Sequence, residues 1–410
     1  MGLSEDSYTH SNEHPIFGTG QGSGNSPAIW CFLSSILYDC YNKEAAKATY
    51  TTPSGSEDVA LGMVGFVDDS NGQTNLFDRD DTEITRQQII VQLEHNAQLW
   101  AELLGATGGA LELSKCSYHV MAWQFTMTGA PTLVTDSSRF KGVSVKDPVS
   151  GKDQELDYLS PYAAHKTLGH YKDPAGTQRE QYRQLKLKSD KSVEFLYQCA
   201  LIPEEAWTFY YACYLPSIGY PLANSYFTEA QLTNIQRKAM SIIIAKCGYN
   251  RNTKRAIIYG PLEYGGANFR RLYDQQGIGQ IQLFILHWRQ KTTAGKLLRC
   301  AIEWAQYNVG TSKPIMEHVQ EYLPHLESRW LSSLRTYLVF INAGLQLDKT
   351  GVAPLERRHD EFIMDQILLS MKFTNNEIKR LNYCRLYLGA LTVRIRLSDN
   401  GWSSVRSGKT

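Results

Sequence analysis

Gly18-Thr-Gly-Gln-Gly-Ser-Gly-Asn-Ser-Pro27 opens a helical pattern, and 41 residues after Pro27 the pair Asp68-Asp69 closes an apolar run over 59–67. The first stretch carries glycines at 18, 20, 22 and 24 and ends on Ser26-Pro27. Glycine lets a backbone approach a ligand closely, and a following helix start offers free N–H groups to an anion. Ser26 supplies a capping hydroxyl, and Pro27 suits the first helical position because its missing N–H is not needed there. Ile29, Phe32, Leu33, Ile36, Leu37 and Cys40 then recur at helical spacing, which predicts one apolar helix face. Residues 59–67 are apolar on both faces and predict a central strand. Residues 69–72 read as its turn and 73–77 as the returning strand. A flexible loop, a helix and a strand that delivers paired carboxylates form an arrangement suited to metal-bound phosphates.

Adjacent carboxylates at a strand end cannot both be buried and charged without a partner. A divalent ion with hard oxygen ligands resolves this, and magnesium fits, with manganese as the alternative ion. Two such ions roughly 3.5–4 Å apart would activate an attacking hydroxyl and stabilise a leaving pyrophosphate. Taken alone, an Asp-Asp pair more often caps a turn, and a glycine loop is as often a surface linker. Gln21 is a candidate to hydrogen-bond the sugar or base of a nucleotide. Lys115, in Leu113-Ser-Lys-Cys116, is placed to protonate or pair with pyrophosphate. By itself it reads more readily as a solvated lysine. The loop is neither a Walker loop nor a dinucleotide fingerprint, and the ten histidines show no metal-ligand spacing.

Composition bounds the rest. A chain of 410 residues with 42% apolar residues supports two or three cored domains. The 8 cysteines form no Cys-x-x-Cys pair and read as reduced thiols. The apolar stretches 28–37 and 242–245 are too short to span a bilayer, and the polar start holds no signal peptide, so an intracellular protein of nucleus or cytoplasm is expected. Net charge is +1 but uneven. Residues 1–160 hold 9 Lys/Arg against 21 Asp/Glu, whereas 161–300 hold 19 against 9 and 301–410 hold 14 against 11. An acidic segment beside a basic one suits a metal-binding part joined to a nucleic-acid-gripping part, although an ordinary multidomain surface reads the same way. Residues 81–104 predict a helix stopped by Gly105. Residues 117–125, 131–135, 154–159 and 165–171 predict short strands, the last with Leu168-Gly169 at its middle. From Gln178 onward helical periods dominate, so the fold class is α+β.

Together these motifs resemble the palm of a reverse transcriptase of the kind carried by retrotransposons without long terminal repeats. Gly20-Gln-Gly-Ser-Gly-Asn-Ser-Pro27 resembles the family's Gln-Gly-x-x-x-Ser-Pro motif at the incoming nucleotide and template. Phe66-Val-Asp-Asp69 resembles the aromatic-x-Asp-Asp hairpin that holds catalytic magnesium. Leu113-Ser-Lys-Cys116 is similar to the motif whose lysine lies near the triphosphate. His165-Lys-Thr-Leu-Gly-His170 resembles the primer-grip hairpin, with Leu168 and Gly169 near the primer end. The resemblance implies an incomplete right-hand palm, an antiparallel sheet with helices, over 1–175. It implies a basic helical thumb over 176–300, with a helical extension over 301–410 that matches nothing. In the thumb Trp207, Phe209, Tyr210, Tyr211, Tyr214 and Tyr220 interleave with cations, either as duplex contacts or, more commonly, as helical core.

The implied activity is RNA-directed DNA synthesis, with RNA template, DNA primer and deoxynucleotide triphosphates as partners and no membrane. Asp68, Asp69 and Lys115 are the implied catalytic residues, Asp68 and Asp69 the metal ligands, and Gln21, Gly22, Ser26, Pro27 and Phe66 the implied nucleotide-binding residues. The family's first palm strand carries a further aspartate, and only 17 residues precede Gly18 here, with Asp6 the sole aspartate among them. Weak or no polymerase activity is therefore expected of this chain alone. A non-catalytic nucleic-acid-binding remnant is the alternative, and an unrelated α+β metal-dependent nuclease a third reading.

Overall fold

The computed structural model describes residues 26–67, 69–76, 83–127, 131–136, 140, 142–148, 150–355 and 360–393. By their packing these residues form two compact units. The first holds the described residues of Met1–Tyr50, Val59–Gln124 and Leu133–Pro161, and the second those of Thr51–Asp58, Phe125–Thr132 and Tyr162–Thr410. The segments expected to be thumb and extension both fall in the second. The class is α+β, with small two-stranded sheets beside many helices. Among the described residues no helix is long and apolar enough to cross a membrane. All eight cysteines are free.

In chain order the first part runs α1 (Ser26–Glu44), β1 (Ala48–Thr51), β2 (Asp58–Leu61), β3 (Met63–Phe66), β4 (Asp69–Gly72) and α2 (Glu83–Ala106). There follow β5 (Ser117–Tyr118), β6 (Trp123–Phe125), β7 (Pro131–Leu133), β8 (Ser144–Lys146), β9 (Asp153–Glu155) and β10 (Asp157–Tyr158). Two small cores organise the first unit. Leu37, Tyr41 and Ala45 of α1 pack on Trp100 of α2, whose indole stacks on Tyr38 at 5.4 Å between ring centres. On the C-terminal side of α2, Ala101 joins Leu113, Tyr118, Val120, Phe140, Val143, Val145 and Leu156. The buried Asn96 of α2 fixes the end of α1 through both its amide atoms, which bond the N–H and the C=O of Ala46 at 2.9 and 2.7 Å.

Several sequence expectations are corrected here. The run 59–67 is not one central strand. Gly62 interrupts it, β2 and β3 join separate sheets, and β3 is largely exposed. The residue at the break has no room for a side chain: a Cβ on Gly62 would lie 2.7 Å from Oδ1 of Asn42, where the helix approaches the backbone. The returning strand is Asp69–Gly72 itself, and pairing already begins with Phe66 opposite Asp69. The apolar face of α1 has the expected period, but only its C-terminal half is buried, and Ile29, Phe32, Leu33 and Ile36 are exposed. The strand β8 was not anticipated, because Val145 is its single buried residue. Residues 165–171 form two strands rather than one.

The second unit begins with that hairpin, β11 (His165–Thr167) and β12 (His170–Lys172). Its helices are α3 (Arg179–Gln198), α4 (Pro203–Phe209), α5 (Leu215–Gly219), α6 (Glu229–Lys246), α7 (Arg255–Tyr259), α8 (Leu272–Arg289), α9 (Thr293–Val309), α10 (Arg329–Phe340), α11 (Ile363–Ser370) and α12 (Asn375–Tyr387). A core of Leu185, Leu196, Tyr210, Tyr214, Ile218, Leu232, Ile235, Ile243 and Leu272 ties α3, α5, α6 and α8 together. A second core joins Phe284, Ile302, Val309, Leu331, Leu334 and Leu338 of α8, α9 and α10. Capping boxes start α6 at Thr228 and Gln231 and α12 at Thr374 and Glu377. The loop Thr51–Asp58 is held on α9: Arg299 Nε donates to Glu57 at 2.5 Å, Trp304 donates to Thr51 O, and Ser54 N donates to Glu303.

Candidate functional site

The β3–β4 hairpin pairs Met63 with Gly72, Val64 with Asn71, Gly65 with Ser70 and Phe66 with Asp69. Opposed residues share a face of a two-stranded sheet and alternate along it. One face therefore carries Met63, Gly65, Ser70 and Gly72, and the other carries Val64, Phe66, Asp69 and Asn71. The glycines face α1. A Cβ on Gly65 would fall 1.4 Å from the Tyr38 hydroxyl oxygen, and one on Gly72 would lie 3.2 Å from that of Tyr41. Two missing side chains thus make the seat on which the tyrosines of α1 rest. The opposite face, with Phe66 and Asp69 side by side, is exposed to solvent.

Val67, directly after β3, has φ 54°, in the left-handed region. A β-branched residue is costly there, and such strain collects at functional turns. The carbonyl of Val67 is held by the indole N–H of Trp30 at 2.5 Å. Trp30 lies one helical turn after Ser26 and Pro27, so the start of α1 and the residue after β3 are fastened together. Neither Trp30 nor Tyr38 was singled out from the sequence. The helical register that placed Ile29 and Leu33 on one face put Trp30 beside them, and that was the available signal.

Asp68, Gln21, Gly22 and the rest of the glycine loop before Ser26 lie outside the described residues. Lys115 ends a short 3-10 turn, Leu113–Lys115, that buries Leu113 and leaves the lysine exposed. No hydrogen bond or ion pair links Lys115 to the hairpin among the described residues. Leu168 and Gly169 belong to the second unit and form the whole turn of β11–β12, both with positive φ, 50° and 79°. The hairpin is anchored by buried His170 and by Tyr171 N, which donates to Gln181 at 2.7 Å. Burial among apolar groups lowers the His170 imidazole to about 4 and keeps it neutral. Tyr220, 65% exposed, passes beneath the turn: a Cβ on Gly169 would sit 3.6 Å from its ring.

The described residues do not by themselves make a cage for a divalent ion. Asp69 offers one carboxylate, its expected partner Asp68 lies outside them, and among the described residues no three His, Cys, Asp or Glu side chains gather. The aromatics expected to mark a thumb divide. Tyr210 and Tyr214 are buried, and Trp207, Phe209 and Tyr211 pack against the same core, so five of the six are structural. Arg271 is equally committed, paired with Asp274 and Glu229 and lying over the rings of Tyr259 and Phe340. No family model, curated protein or solved structure matches the chain.

Proposed function

We propose that the chain is palm and thumb of a reverse transcriptase, an RNA-directed DNA polymerase of a retroelement. The observation that carries this reading is the bond from Trp30 to Val67 O, which fastens the start of α1, just after the glycine motif in the chain, to Val67, just before Asp68-Asp69 in the chain. On this reading Asp68 and Asp69 supply oxygen ligands, and the bound divalent ions supply the charge that activates a primer hydroxyl and neutralises pyrophosphate. The chain's own residues position the reactants. The glycine seat on Tyr38 and Tyr41 turns Asp69 away from the helix and toward solvent. Phe66 covers one flank of the carboxylate. Gln21 and Gly22 approach the nucleotide, Lys115 accompanies the triphosphate, and Leu168 and Gly169 contact the primer end.

The test is retention of a deoxynucleotide triphosphate, and extension of a primed RNA template, with magnesium or manganese. Wild type is compared with Asp68→Asn and Asp69→Asn. Ion-dependent nucleotide retention lost in both variants supports the reading. Identical behaviour of all three chains refutes it and leaves a non-catalytic nucleic-acid-binding remnant.

A further inference from the structure

Residues 249–271 hold five arginine or lysine side chains against one carboxylate, Glu263. The segment folds back on itself. Ala267 N donates to Ile257 O at 2.8 Å, Phe269 N to Ile258 O at 3.0 Å and Asn268 N to Gly260 O at 2.8 Å. Its inner side is bolted to the core. Phe269 is buried between Trp207, Tyr210 and Tyr249. The Tyr210 hydroxyl both donates to Arg270 O and accepts from Arg270 N, and Tyr211 donates to Asn268 O. The outer side carries Arg251, Lys254, Arg255 and Arg270, all exposed. Unlike that of Arg271, the side chains of these four make no hydrogen bond or ion pair among the described residues. The same segment exposes Tyr249 and Tyr264, the latter 85% exposed, and Asn250, Asn252 and Asn268.

We infer that this surface is a binding site for single-stranded nucleic acid. Four uncompensated cations on a rigid base attract a phosphate chain without sequence preference. Tyr264 presents a ring that no other side chain covers, and a base can stack on it only when it is not already stacked within a duplex. Duplex offers phosphates but no free base face, which is why the exposed tyrosines favour a single strand. The inference is independent of the hairpin chemistry, since neither Asp68 nor Asp69 takes part.

Fluorescence anisotropy with labelled oligo-dT and oligo-U, each beside a duplex of equal length, tests it on the full chain. For four contacts the affinity for a single strand should fall about 50-fold between 50 and 200 mM salt. The quadruple variant R251Q/K254Q/R255Q/R270Q should lose most of that dependence, whereas a control at exposed cations outside this segment, K372Q/K379Q/R380Q, should not. Tyr264→Ala should weaken single-strand binding about tenfold and leave duplex binding unchanged. Equal loss on dT and U assigns the shared phosphate-and-base chemistry, and a preference for U adds a contact to the 2′-hydroxyl. All substitutions lie at exposed positions, and thermal melting checks that each variant folds. An unchanged salt slope in the quadruple variant overturns the site. Competition by polyglutamate as strong as by oligonucleotide, or Tyr264→Ala without effect, overturns the single-strand assignment. Asp68→Asn should bind as wild type, so a failed polymerase reading and a failed surface are separable.

Discussion

Replacing Gly65 with alanine tests the glycine seat directly. The new Cβ would stand 1.4 Å from the Tyr38 hydroxyl oxygen and 2.4 Å from its ring carbon, so the ring must leave its place. Leaving means breaking the parallel stack on Trp100, worth about 1 kcal/mol, and returning part of a half-buried ring to water, about another 1 kcal/mol. Alanine in a strand recovers about 0.5–1 kcal/mol over glycine. The net cost in wild type is therefore about 1–1.5 kcal/mol. In a Tyr38→Ala background the obstruction is gone, and the same Gly65→Ala change should stabilise by about 0.5–1 kcal/mol. The change of sign is the signature, and the coupling between the two positions is about 2 kcal/mol. Urea titration followed by amide exchange in α2 and β3–β4 measures it within the first unit alone. An equal effect of Gly65→Ala in both backgrounds would refute the claim that Tyr38 sets the hairpin's position.

Two further outcomes concern the second unit. His170 is neutral in the fold, with its imidazole held at about 4 against 6.5 when unfolded, so the unfolded chain takes up a proton first as pH falls. Stability should be flat above pH 6.5 and decline toward pH 4 by up to about 3 kcal/mol. Urea midpoints at pH 7 and pH 5 for wild type and His170→Gln check this, and the variant should show the smaller drop. Leu232, fully buried between α6 and its neighbours, should cost about 3 kcal/mol as Leu232→Ala, with an unchanged denaturant slope. A loss under 1 kcal/mol would mean that the core closes around the gap.

What the sequence disclosed follows what short-range chemistry controls. The period of α1 and the extent of α2 depend on neighbours three or four residues apart, and they are legible. The crowding at the Gly62 break comes from Asn42, in another element, so an apolar run reads there as one strand. Val67 at positive φ contradicts its own preference and is imposed by the hairpin and the Trp30 bond, which no local rule announces. Leu168-Gly169 was noticed, yet its role as a complete turn depends on two positive φ angles, and only the glycine advertises one. The aromatics expected to mark a thumb were ambiguous because an aromatic-rich helical core and a stacking surface share a composition. Arg270 and Arg271 are adjacent in the chain and opposite in circumstance, and only packing separates the free guanidinium from the committed one.

The clasp of Thr51–Asp58 on α9 has a consequence for the order of events during synthesis. Glu57 and Arg299 are 242 residues apart, and Thr51 and Trp304 are 253 apart. At about 5–20 residues per second, the ribosome delivers Arg299 some ~10–50 s after Glu57. Throughout that interval the loop has no counterpart to close on, and its carboxylate stays hydrated. Closing so long a loop costs little more entropy than closing one half as long, about 0.6 kcal/mol per doubling, so the delay is one of time rather than of stability. The second unit is thus sewn from both ends of the message, and a nascent chain halted before Arg299 leaves its earliest stitch open.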